Sequence, residues 1–234
     1  MKTFDFLFHL LELGAALAAS YYWLKTKDYA IKPFVWYLWF IVFIETLAMY
    51  PYLYEVLDNS IINNIKNSKF YRNTWLYNIY DPIVLILIGK FMINNTNTIL
   101  SHRIIKFLVL GFIIFWFVYF LFVANYFETG LPYDFVISTF VIFIMVMLYL
   151  RELLKSNELI NFYKSPVFYV IIALMLWYIC ITPLFIFNGF YLKENEEFLS
   201  FRKIFLNTSN IILYSWYIFA FLYPLRFKRK LIPR

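Results

Sequence analysis

Apolar residues run almost unbroken for about 20 positions at a time along this chain. Wound as helix, a run of that length matches the hydrocarbon core of a bilayer. Seven such runs are legible, at about residues 4–24, 34–54, 76–95, 104–126, 133–154, 166–187 and 207–225. A membrane-spanning strand needs only about 10 residues and strict alternation, which these runs lack. Punctuation agrees with helices. Pro33 falls in the first turn of the second run, where proline is tolerated. Ser165-Pro166 offers a cap and a first helical residue to the sixth. The third run is the hardest to bound, because Asp81-Pro82 reads as a helix start while the apolar pattern begins near Leu76. The longest interval between runs, about residues 55–74, is too short for a soluble domain. The pattern predicts one all-α domain over residues 1–234, a polytopic bundle of seven transmembrane helices.

Composition sharpens this picture. The 234 residues are 63% hydrophobic and only 15% charged, whereas a soluble domain is about half apolar and a quarter charged. The net charge of +7 raises nucleic acid as a partner. No basic stretch interleaved with polar residues lies outside the bundle, however, and nucleic-acid binding is not expected. The charge is better explained by orientation, since cytoplasmic loops collect Lys and Arg. With the N-terminus outside and the C-terminus in the cytoplasm, fourteen of the 21 basic residues fall on the inner side, five of them in the tail "RFKRKLIPR". The connection "YFETGLPYD" carries none and lies outside. The opening "MKTFDFLFHLLELGAALAAS" imitates a signal peptide, but Asp5, His9 and Glu12 interrupt its apolar core, so a retained helix is expected. Cys180 is the single cysteine, which excludes an internal disulfide and a cysteine metal cage.

Chemistry then rests on the few polar groups at membrane depth, where a charge costs about 2.5–3.5 kcal/mol to insert and commonly marks function. On the first helix Asp5, His9, Glu12, Ala16 and Ala19 fall at spacings of 4, 3, 4 and 3, a single seam. Its small residues allow close helix approach, so the seam and Glu12 point inward. Glu12 lies about 12 Å below the outer surface and Glu45, on the returning second helix, about 13.5 Å. Two carboxylates that close should not both stay ionised: either one keeps its proton or a cation sits between them, and His9, one turn outward, is a candidate for that partner. Asp81 is either a helix start or a fourth member of this group. Thr182, Pro183, Asn188, Ser209 and Asn210 lie in the same outer half. Pro183 should kink the sixth helix and act as a hinge. These groups form either a small outward-facing pocket for a ligand or cation, or a hydrogen-bonded network that only ties helices together. Lys90 should snorkel toward the cytoplasm. The aromatic wealth reads as lipid-facing and interfacial surface. "RELLKSNELINFYKSP" is an interfacial helix or a charged loop, and its Arg151, Glu152 and Lys155 are candidate contacts for a cytoplasmic partner. No zinc-binding histidine pair, G-x-S-x-G or phosphate-cradling loop is present, and nothing calls for a cofactor. Whether the acids hold a metal is left open.

The stretches "LELGAALAASYYWLKTKDYAIKPFVWYLWFIVFIETLA", "NTWLYNIYDPIVLILIGKF" and "MLYLRELLKSNELINFYKSPVFYVIIALMLWYICITPLFIF" resemble a family of stand-alone seven-helix bacterial inner-membrane proteins. That family is similar in layout to the seven-helix sensor regions of some histidine kinases. Glu45 matches the family's second-helix acid. The family's third-helix glutamate is replaced by "DPIVL", with Asp81 as its nearest stand-in, and the outer loop after Tyr54 is longer. The resemblance implies the topology, a place in the bacterial inner membrane, and sensing by analogy. The expected function is a non-enzymatic receptor or signalling module. The alternatives are an oligomeric cation channel or membrane-disrupting effector and, further off, a lipid-modifying membrane enzyme. The expected partners are the lipid bilayer, a cytoplasmic signalling protein and further copies of the chain.

Overall fold

A computed structural model of the chain describes residues 2–56, 59–128, 130, 133–191 and 196–228. Among these residues the protein is all-helical, with no strand. The helices are α1 (Lys2–Thr26), α2 (Lys32–Ala48), α3 (Leu53–Val56), α4 (Ser60–Lys66), α5 (Thr74–Asn94), α6 (Ile99–Phe122), α7 (Asp134–Lys155), α8 (Pro166–Tyr191) and α9 (Glu196–Lys228). Segments built on α2, α5, α6, α7, α8 and α9 are long and apolar enough to cross a membrane. At 25 residues α1 is as long as these, though its polar seam lowers its apolar content.

Several helix ends follow directly from residue chemistry. Thr98 caps α6, its hydroxyl accepting from the Ser101 N–H at 3.3 Å. Ser165 accepts from the Val167 N–H at 3.3 Å, with Pro166 as the first residue of α8. Lys27 ends α1 in a left-handed conformation, φ 56°. Of the two starts that the third run allowed, the one near Leu76 agrees with the structure: α5 begins at Thr74 and carries Pro82 inside it. Proline has no N–H to give the carbonyl four residues back. That carbonyl belongs to Asn78, and the Trp116 indole N–H of α6 donates to it instead at 2.7 Å. The helix thus stays unbroken because a neighbour replaces the lost bond. The Asn78 amide donates onward to the Tyr126 carbonyl at 2.8 Å, and the Tyr126 hydroxyl donates to the Trp75 carbonyl at 2.9 Å. Burial pushes that phenol, which lies in the α6–α7 connection, up to about 12, so it remains a donor at any physiological pH.

The long helices close a ring. α1 packs on α2 and α9, α9 on α8, α8 on α7, α7 on α5, and α5 on α2. α6 stands outside this ring against α5 and α7. Only 11% of its apolar window is buried, against 50% in α5. Two glycines mark the tightest approaches. A Cβ on Gly89 of α5 would lie 2.7 Å from Val109 of α6, and one on Gly14 of α1 would lie 3.2 Å from Ile218 of α9.

The half of the ring that holds the α1–α2 and α5–α6 turns is filled with apolar side chains. Phe34 sits at its centre, its ring centroid 5.0 Å from Tyr37, 5.1 Å from Phe91 and 5.1 Å from Tyr217. Ile88, Met92, Ile142, Met145, Ile171 and Leu174 are buried around it. Trp36, Phe107, Phe117 and Phe140 are exposed, as lipid-facing residues are expected to be. The expectation that aromatic residues face lipid is corrected for Tyr22, Tyr37, Tyr149, Tyr178, Tyr214 and Tyr217, which are core residues.

Candidate functional site

The polar groups gather in the opposite half of the ring, where α1 begins and α2 ends. The small-residue seam of α1 is turned inward: Ala15, Ala16 and Ala19 are fully buried and Glu12 is 1% exposed. Close backbone approach of α9 and α2 encloses that carboxylate. His9, one turn away on the same face, meets Glu12 Oε2 through Nδ1 at 2.9 Å. Glu12 Oε1 has no well-formed hydrogen bond among the described residues, and the Tyr214 hydroxyl of α9 faces the group. On α2, Glu45 Oε2 accepts from the Tyr77 hydroxyl at 3.3 Å. Glu45 is near enough that the two glutamates feel one another's charge. Position and depth read along the sequence thus bring Glu12, His9 and Glu45 to one neighbourhood.

Asp81 joins them only indirectly. Its direct partner is Asp134, the first residue of α7, and the two carboxyls share a side-chain hydrogen bond. Such a bond holds one proton between two acids. Tyr80 lies within electrostatic range of both Glu45 and Asp81, which links the two acid pairs. Sequence reasoning missed Asp134. Its one signal was Ser138 four residues on, which sets two polar groups on one face of α7.

An enclosed cavity of about 70 Å³ lies beside Asp81, reached by side chains of α2, α5, α7, α8 and α9. Its wall is mainly aromatic, with Asp81 and Ser138 among its polar members. This is room for a few waters or one small solute, not for a lipid or peptide. Among the described residues no three of His, Cys, Asp and Glu come together as a metal-binding group.

The remaining expected residues are placed as follows. Pro183 lies inside α8, which runs unbroken through it. The Thr182 hydroxyl donates to the Tyr178 carbonyl at 2.6 Å and meets the Thr139 hydroxyl of α7 at 2.7 Å. Asn210 accepts from the Trp177 indole at 2.8 Å, which ties α9 to α8. Ser209 faces an apolar groove between the same two helices. Lys90 is exposed, as are Arg151 and Lys155. Glu152 is engaged within the chain: it accepts from the Asn97 and Thr98 N–H groups and from the Thr98 and Ser101 hydroxyls, at the start of α6. A carboxylate there also faces the positive end of the helix dipole. Residues 157–164, after α7, form a 3-10 helix. The side chains of Asp5 and Asn188, and the tail beyond residue 228, lie outside the described residues. Compared with protein-family models, with curated proteins and with solved structures, the chain matches none.

Proposed function

We propose that this chain is a non-enzymatic membrane receptor or signalling module of seven spans. Its N-terminus lies outside, its C-terminus lies in the cytoplasm, and its outer half holds a small ligand or cation. The observation that carries this reading is the convergence of Glu12, Glu45, Asp81 and Asp134, from four helices, on one half of a ring whose other half is packed dry. Carboxyls at membrane depth are costly and are kept where they bind something. α1 counts as the seventh span because it closes the ring between α2 and α9 as an equal member. The orientation rests on the two-to-one bias of basic residues. The likeness to stand-alone seven-helix bacterial inner-membrane proteins supports both the layout and that location.

The dry half argues against a cation channel through a single chain, because Phe34 and its neighbours leave no polar path there. Signalling then requires that the bound state favour a second arrangement of helices. Exposed Arg151 and Lys155 are the proposed contacts for a cytoplasmic partner. The test is cation flux and cation binding on protein in liposomes, compared with the Glu12→Gln/Glu45→Gln double variant. A tight membrane and binding lost in the variant are expected. Flux that the variant abolishes would make the chain a channel or effector.

A further inference from the structure

We infer that the cavity beside Asp81 is a site for a small organic ammonium cation, not for a metal ion. The inference rests on reading the polar half as a ligand site, and it names the chemical class. Six aromatic side chains, Tyr37, Tyr80, Phe135, Trp177, Tyr178 and Tyr214, line about 70 Å³ together with Asp81, whose carboxyl is paired with that of Asp134. Aromatic faces around one acid are the recognition chemistry of alkylated ammonium groups, which are attracted to the ring quadrupole and give up little hydration. A metal ion wants several oxygen or nitrogen ligands at short range. Among the described residues no three of His, Cys, Asp and Glu come together to supply the charged part of such a set.

The wall is pre-organised. The Phe135 ring stacks on Tyr178 at 5.0 Å and on Phe185 at 4.2 Å. Trp177 meets Tyr178 edge-on at 5.0 Å, and its indole N–H is held by Asn210. Tyr80 stacks on Phe40 at 6.0 Å. Phe135, stacked between Tyr178 and Phe185, offers the cavity its edge, and rings clamped by their neighbours in this way need no reordering when a cation enters, which favours binding. The small volume selects ammonium ions carrying methyl-sized groups and rejects lipid headgroups and peptides. Ser138 adds one hydroxyl for an N–H of an incompletely alkylated cation.

The experiment is isothermal titration of the full chain in nanodiscs with methylammonium, tetramethylammonium, potassium and calcium chlorides, and with tert-butanol, a neutral body close in shape to tetramethylammonium. At least one ammonium ion should bind about tenfold or more tightly than either metal ion, and tert-butanol should not compete. Asp81→Asn should weaken that binding about tenfold or more, as expected for loss of a charge partner. Tyr178→Phe, which keeps the ring, should bind within about threefold of the parent, and Tyr178→Leu should lose about tenfold. If Asp81→Asn does not fold, the contrast between the two Tyr178 variants decides the matter. Metal binding as tight as ammonium binding, or equal loss in Tyr178→Phe and Tyr178→Leu, would overturn the inference. Metal binding that Glu12→Gln/Glu45→Gln abolishes, without ammonium preference, would overturn it and leave the ligand-site reading standing. No binding by any probe would overturn both.

Discussion

The two halves of this helix ring solve opposite problems. Around Phe34 every close neighbour is a ring or an aliphatic chain, and the packing needs no partner beyond itself. Around Glu12 and Asp81, four carboxyls, a histidine and several phenols share one interior, and Glu12 Oε1 is left without a well-formed hydrogen bond among the described residues. Dispersion between close-packed groups stabilises the first half. The second half costs stability, since buried charges and unsatisfied polar atoms are unfavourable there. A chain selected for stability alone would fill both halves the same way, so the difference marks the polar half as the one to test for binding.

That contrast can be broken by substitution. The largest effect is expected from Phe34→Ala, which empties the centre of the dry half and should cost about 3–5 kcal/mol, read by thermal unfolding in detergent. A cost as small as that of an exposed site would show that the dry half is not the stabilising one. Next comes Trp116→Phe, which removes the donor that satisfies Asn78 beside Pro82 and should cost about 1–3 kcal/mol in the same assay. Glu12→Gln should act in the other direction. It keeps a polar side chain beside His9 but removes a group that can ionise in the interior, and should raise stability by about 1–2 kcal/mol under conditions where Glu12 is ionised, while cation binding falls. Destabilisation with binding intact would make Glu12 a structural tie. The smallest effect is expected from Glu152→Gln, about 1 kcal/mol, seen as faster amide exchange confined to the first turn of α6.

Much of the acid half was legible because it depends on local spacing. The seam from His9 to Ala19 needs only the helical period, and the matching depth of Glu45 needs only the rise per residue and a short connection. The Asp81–Asp134 pair was not legible, because it requires α5 to touch α7, and no short turn joins those helices. The Glu152 clamp on α6 escaped although α6 and α7 are consecutive, because it joins the ends farthest from their connection, 51 to 55 residues apart in sequence. Tyr37, Tyr178 and Tyr214 could not be told from interfacial tyrosines by composition, since which side of a membrane helix faces lipid is decided by its neighbours. The exposure of α6 is likewise a matter of ring closure, and its apolar sequence fits a central helix as well as a peripheral one.

α7 can be viewed as a lever. It is one unbroken helix with a hydrogen-bonded carboxyl at each end, Asp134 and Glu152, eighteen residues or about 27 Å apart. At one end Asp134 is tied to Asp81. At the other, Glu152 grips the turn between α5 and α6, whose Asn95 donates in turn to the Ala30 carbonyl between α1 and α2 at 3.3 Å. A stiff rod tilts as a whole, so any change in how the two aspartates meet must be taken up at that turn. Glu152 and Asn95 thus fasten the far end of that rod to the connections between α5 and α6 and between α1 and α2.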